Sequence, residues 1–261
     1  MISLAARALE DAVVKYLHER SCSPRRPSVL GIGGFPYTGK SHLAHIIRDT
    51  WPLGRATILP TESVILPRAT RLKRGIDGCS PAGHDMQLLL EQVTTLCNGQ
   101  AIQMREYSWS TGDVPGTTVL EGLGQGDLLI IDGSVAASPL IADRCDLLIL
   151  LSPLRVRHWL PLACERDILE RGWDADEAYA QNLRKAKTSV DLGILPGAYQ
   201  SISVRVDPFS WIQFIPDYSN CEHLTPGLPF PPHLTISGYN HTDYAANDRL
   251  GRRRAGCRVG F

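Results

Sequence analysis

Gly34-Phe-Pro-Tyr-Thr-Gly39-Lys40-Ser41 satisfies every fixed position of the pattern G-x-x-x-x-G-K-[ST], a loop whose backbone N–H groups wrap a row of phosphates. Such a loop needs a strand before it and a helix after it. Val29, Leu30 and Ile32 read as a short buried strand, and Ser41-His-Leu43-Ala44-His-Ile46-Ile47 spaces its apolar residues along one helical face. The loop and the first helical turn make Gly34, Phe35, Pro36, Tyr37, Thr38, Gly39, Lys40, Ser41 and His42 the expected nucleotide-binding residues. Lys40 is placed to reach the β- and γ-phosphates, and Ser41 to offer its hydroxyl to Mg²⁺.

Outward from the loop, strand and helix patterns alternate. Residues 4–17 read as a leading helix with Leu9, Val13, Tyr16 and Leu17 on one face, ended by Ser21-Cys-Ser-Pro-Arg-Arg-Pro27. A second strand runs over Ala56–Leu59 and closes on Pro60-Thr-Glu62. His84 to Asn98 predicts a helix with Leu89, Val93 and Leu96 inward and Gly99 as its stop; a short strand follows at Ala101–Met104. Leu128-Leu-Ile-Ile131-Asp132 and Asp146-Leu-Leu-Ile-Leu-Leu151 are unbroken apolar runs, the form of parallel strands buried on both faces. Helical periodicity covers Pro153 to Gly172, where Pro161 predicts a kink or break. Asp174-Ala-Asp-Glu177 reads as the cap of a helix reaching about Val190, and Ile202–Val206 as a last strand. The expected architecture is an α/β layer fold with a mostly parallel sheet. The chain divides into an N-terminal helix and linker (1–27), a phosphate-loop domain (28–207) and an irregular C-terminal extension (208–261), rich in proline from Pro216 onward.

Composition narrows the function classes. The 27 basic and 27 acidic residues cancel, so the whole-chain field argues for neither a nucleic acid nor an anionic membrane, and phosphate binding must be local. Seven cysteines without a C-x-x-C pair give neither a zinc site nor a disulfide framework. The N-terminus lacks a signal-peptide layout and no run of about 18 apolar residues occurs, so a soluble, cytoplasmic setting is expected.

Two carboxylates accompany the loop. Asp132 closes an apolar strand and is positioned to hold Mg²⁺ or its water, or alternatively to serve as a turn Asp before Gly133. Glu62 follows the second strand, where it reads either as a base accepting a hydroxyl proton or as an ordinary loop glutamate. The N-K-x-D signature of guanine-specific GTPases is absent.

The ordered set Gly34-x-x-x-x-Gly39-Lys40-Ser41, Thr61-Glu62-Ser63, His84-Asp85, Glu106-Tyr107-Ser-Trp109, Ile130-Ile-Asp132-Gly133 and Glu165-Arg166-Asp167-Ile168-x-Glu170-Arg171-Gly172 resembles the uridine kinase and phosphoribulokinase superfamily from about Ser28 to Asp207. The resemblance implies a P-loop NTPase three-layer sandwich, NMP-kinase-like, that uses ATP and Mg²⁺ to phosphorylate a small-molecule hydroxyl. It implies that Lys40 holds the phosphates, Ser41 and Asp132 bind the metal, Glu62 stands at the catalytic Asp, and Arg166 and Arg171 belong to a lid over ATP. The implied partner is the small-molecule acceptor, with neither nucleic acid nor membrane; a homo-oligomer is left open.

The acceptor side departs from uridine kinases. Asp77, His84, Asp85, Tyr107 and Trp109 are the expected substrate-binding residues, but Cys79 stands where uridine kinases have a ribose-contacting Asp and Gly112 where they have a base-recognising His. Pro81-x-x-His84-Asp85 also resembles the segment of pantothenate and glycerate kinases. Arg68, Arg71, Lys73 and Arg74 read as an anion site or as a solvated basic loop. Three readings stay open: a nucleoside kinase, favoured by the motif order; a kinase of a pantothenate-, glycerate- or sugar-like acceptor; and a nucleotide-binding regulatory protein without turnover.

Overall fold

The structure, a computed structural model, describes residues 11–17, 26–153, 156–193, 201–206 and 215–220. Residues 11–17 form helix α1, and the rest of the expected leading helix lies outside the described residues. The chain then runs β1 (Ser28–Gly34), α2 (Lys40–Thr50), β2 (Ala56–Pro60), a 3₁₀ turn (Thr61–Val64), α3 (Arg68–Lys73), a second 3₁₀ turn (Pro81–Gly83), α4 (Met86–Cys97), β3 (Ile102–Ser108), β4 (Asp113–Leu120), β5 (Leu128–Asp132), a third 3₁₀ turn (Ser134–Ala137), α5 (Pro139–Ala142), β6 (Leu147–Pro153), α6 (Val156–Arg171), α7 (Ala175–Gly193), β7 (Ser201–Val206) and β8 (Ile215–Asn220).

Six strands form one sheet in the order β2-β5-β1-β6-β7-β8, parallel except for β8. The apolar runs of the sequence are its centre. Leu128 and Ile130 of β5 join Leu30 and Ile32 of β1 and pack under Val13 and Leu17 of α1 and Leu43 and Ile47 of α2. The alternate residues Leu129 and Ile131, with Val29, meet Leu89, Val93 and Leu96 of α4 on the other face. Period-two alternation on a sheet covered by helices on both faces thus makes the three layers the sequence predicts. Among the described residues no helix is long and apolar enough to cross a membrane.

Three elements differ from expectation. The short strand at Ala101–Met104 extends as β3 and pairs antiparallel with β4 in a separate two-stranded ribbon. Pro115 and Gly116 disguise β4 as a loop, but an isolated ribbon has outer edges where proline loses no ladder bond, and the register shifts between Glu106 and Ser108 beside it. Residues 215–220, within the extension expected to be irregular, form edge strand β8, where Pro216 is tolerated for the same reason. Pro161 does not break α6, which continues from Val156 to Arg171; the buried Trp159 and Ala163 dock the turn around it.

Candidate active site

β1, β2 and β5 are parallel neighbours, so their C-terminal ends, where ligands collect in open α/β sheets, lie along one edge. At the end of β1 the backbone turns sharply. Gly34 has φ 114°, and a Cβ there would lie 2.0 Å from the Leu151 carbonyl oxygen, so only glycine fits. The Phe35 N–H donates to Leu151 O at 2.9 Å, and the Phe35 carbonyl accepts from Thr38 Oγ1 (2.7 Å) and Lys40 Nζ (2.5 Å). Trp159 Nε1 of α6 donates to Pro36 O at 2.7 Å, fixing the loop to the helix beyond it. Gly39, at φ 85°, caps α2 and leaves the N-terminus of that helix open to an anion. Two loop residues act otherwise than the sequence predicts. The Phe35 side chain is buried edge-on against Trp159, with ring centroids 5.4 Å apart, and only its backbone serves the loop. His42 is exposed and does not line the cleft.

Both carboxylates reach this edge. Pro60 and Asp132 are register partners, so β2 delivers Glu62 beside the end of β5. The approach is close: a Cβ on Gly133, at φ 145°, would lie 1.8 Å from Thr61 Oγ1. Asp132 is 5% exposed and hydrogen-bonds Ser41, while its Oδ1 is buried without a partner. The Ser41 hydroxyl and the Asp132 carboxylate, one of whose oxygens is buried and unsatisfied, are donor chemistry for a hard cation, so the two residues fit Mg²⁺. Burial pushes the Asp132 carboxyl up, against the Ser41 hydrogen bond and the Lys40 charge. Glu62 rises to about 7, from burial first and the Asp132 charge second. Burial lowers Lys40, with Asp132 and Glu62 opposing it.

Across the cleft, α6 and α7 supply cations around one acid. Asp167 is fully buried and takes Arg166 at 3.0 Å, Arg171 at 3.0 Å and Lys185 at 2.6 Å. Burial pushes its carboxyl up, but Lys185, Arg171 and Arg166 outweigh that and hold it low. Arg166 stacks over Tyr37 of the loop at 5.0 Å, and Arg171 over Trp109 at 4.4 Å, so the lid arginines predicted from the sequence face both halves of the cleft. Desolvation, with Arg166 nearby, lowers Arg171 to about 10. Sequence reasoning missed Lys185: within Arg184-Lys-Ala-Lys187 it looks like a solvated helix face. The signal was Asp167 itself, an acid on an apolar helix face between two arginines.

The acceptor side corrects several expectations. Arg68, Arg71 and Trp109 line a cleft of about 320 Å³ with the phosphate loop, Glu62, Asp132, Cys79, Gln181 and Lys185. Asp77 does not line it: its Oδ1 accepts from the Cys79 and Ser80 N–H groups and its Oδ2 from Thr188 Oγ1, which ties the turn to α7. His84 is buried with Nδ1 at 2.9 Å from Ser80 O, and burial lowers it to about 4. Asp85 caps α4 through the Leu88 N–H. Tyr107 stands behind the wall, edge-on to Trp109 at 4.9 Å, its hydroxyl accepting from Arg71 at 2.8 Å. Of the basic run, Lys73 and Arg74 are solvated and Arg71 is buried.

The family model described as Phosphoribulokinase / Uridine kinase family matches residues 53–200, from just after α2 to beyond α7. The chain belongs to this family. A pantothenate kinase from Streptococcus thermophilus is 28% identical over 141 residues, which are 51% of this chain and 45% of that protein. The chain thus spans less than half the length of the curated relatives it matches here. A D-glycerate 3-kinase from Cryptococcus neoformans superposes with a TM-score of 0.57 at 14% identity, covering 78% of this chain and 96% of that one. A phosphoribulokinase from Rhodobacter spheroides gives 0.51 at 16% identity, covering 70% and 72%. At such identities these two structures speak for the fold: an α/β sandwich with a mainly parallel sheet.

Proposed function

We propose that this chain is an ATP-dependent small-molecule kinase that transfers the γ-phosphoryl group to an acceptor hydroxyl. The observation that carries it is Glu62, raised to about 7 and lining the same cleft as Lys40, Ser41 and Asp132. A carboxylate poised near neutrality at the phosphate end of a nucleotide site suits a general base better than a structural role. Membership in a family of kinases supports the same reading.

In the proposed reaction the loop N–H groups and Lys40 hold the β- and γ-phosphates of ATP. Glu62 takes the proton of the acceptor hydroxyl as that oxygen bonds to the γ-phosphorus, and the β–γ bridging oxygen leaves with ADP. Arg166 and Arg171 face the charge spreading over the transferred oxygens. Mg²⁺ bound by Ser41 and Asp132 would neutralise phosphate charge. Positioning and charge stabilisation supply most of the acceleration.

Of the acceptors left open by the sequence, a nucleoside depends on the Tyr107/Trp109 pair. Both rings are engaged by arginines, Tyr107 by Arg71 and Trp109 by Arg171, which favours the pantothenate-, glycerate- or sugar-like alternative. Phosphorus NMR of the protein with Mg·ATP and uridine, pantothenate, D-glycerate or a pentose tests the proposal. The expected result is a new phosphomonoester with one of them. Nucleotide binding without ATP consumption on any acceptor would favour a regulatory protein instead.

A further inference from the structure

We propose that the acceptor is an anion and that Arg68 and Arg71 form the subsite for its carboxylate or phosphate group. The word acceptor rests on the kinase reading; the subsite does not. Six cations line the cleft: Lys40, Arg68, Arg71, Arg166, Arg171 and Lys185. Lys40 has Asp132 and Glu62 near it, and Arg166, Arg171 and Lys185 share Asp167. Arg68 and Arg71 have no carboxylate partner among the described residues.

They are nevertheless held in place. Arg71 is 7% exposed, its Nε donating to Leu66 O at 2.9 Å and one terminal nitrogen to the Tyr107 hydroxyl at 2.8 Å. Arg68 donates to the backbone carbonyls of Trp109 and Ser110. Neutral tethers fix both guanidinium forks and leave their charge unanswered. Burying a charge without a counter-charge is costly, and a planar fork held in advance is the geometry that receives carboxylate or phosphate bidentately.

The position assigns the anion to the acceptor rather than to ATP. Arg68 and Arg71 follow Glu62 along the same connection after β2 and are tied to the β3 ribbon, away from the glycine turn at the end of β1. Gln181, one helical turn before Lys185 on α7, lines the same cleft at 8% exposure, and its side chain makes no hydrogen bond to a described residue, leaving its amide for a neutral group of the acceptor. A neutral nucleoside would leave the two arginines unpaired.

The test titrates the full chain, held with Mg²⁺ and a non-hydrolysable ATP analogue, against matched pairs: pantothenate and panthenol, D-glycerate and glycerol, ribose 5-phosphate and ribose. Binding is read by tryptophan fluorescence, because Trp109 and Trp173 line the cleft. At least one anion is expected to bind roughly 10-fold or more tightly than its neutral partner. The carboxylate and phosphate arms then say which anion it carries. Arg68→Gln, whose lost ties are to exposed carbonyls, should weaken that anion about 10-fold with nucleotide-analogue affinity retained. Arg71→Lys, which keeps the charge but not the fork, should weaken it less. Equal binding of charged and neutral partners, binding of none of the three anions, or unchanged affinity in Arg68→Gln overturns the proposal. Anion binding without phosphoryl transfer from ATP would sink the kinase reading and leave the subsite standing, while phosphorylation of a neutral acceptor alone would do the reverse.

Discussion

On the phosphate-loop side of the cleft, Thr38 and Lys40 both donate to the carbonyl of Phe35, a few residues away, and glycines at positive φ set the path. On the α3 side, Arg71 is held by Tyr107, 36 positions later in the chain, and Arg68 by the backbone of Trp109. The first half is local backbone geometry that one octapeptide can encode. The second is an assembly of side chains from α3, the β3 ribbon and α7 that exists only once the sheet and both helices have docked. Such an arrangement allows the donor half to stay constant in a family while the acceptor half is rebuilt.

Substitutions can break or sharpen this contrast. The largest effect is expected at the acid shared by the helices that face both halves: Asp167→Asn leaves Arg166, Arg171 and Lys185 without their counter-charge and should cost about 3–5 kcal/mol in urea unfolding, with loss of turnover. Lys40→Met, confined to the donor half, should lower kcat about 10²–10³-fold with an unchanged unfolding midpoint. Gly133→Ala strains the point where β5 passes Thr61 and should cost about 1–3 kcal/mol in the same unfolding assay. Trp109→Leu removes the ring under Arg171 and should raise the acceptor KM by roughly 2- to 30-fold with little change in the ATP KM. An equal rise in both would show that the halves are not separable.

The sequence made the donor half legible because its devices are local: the glycines and Lys40 lie within one loop, and Asp132 closes an unbroken apolar run. The sheet was legible because its buried strands are unbroken apolar runs. The ribbon partner β4 was not, since Pro115 and Gly116 obscure an exposed strand. Asp77, His84 and Asp85 looked like substrate contacts because a polar residue in a family-like motif looks the same whether it caps a turn or touches a ligand. The folded contacts separate the two: Asp77 is tied across the fold to Thr188, and His84 turns back onto Ser80 within its own loop. Arg71 and Lys185 had the opposite fate, being buried at the site while their neighbours Lys73 and Lys187 stay in solvent.

The central claim is that Glu62 accepts the acceptor proton. Its carboxyl, raised to about 7, is protonated below that value and ionised above it, so activity should be present at high pH and lost as pH falls through about 7. The most direct measurement is kcat/KM for the acceptor at subsaturating Mg·ATP against pH, from about 5.5 to about 8.5, for the protein and for Glu62→Gln, with Mg·ATP affinity measured in parallel. The account predicts a single rise centred near 7 in the parent, a loss of about 10²–10⁴-fold in the variant, no residual rise there, and nucleotide affinity within about 2-fold. A variant that turns over at the parental rate, with the same pH dependence, would contradict it.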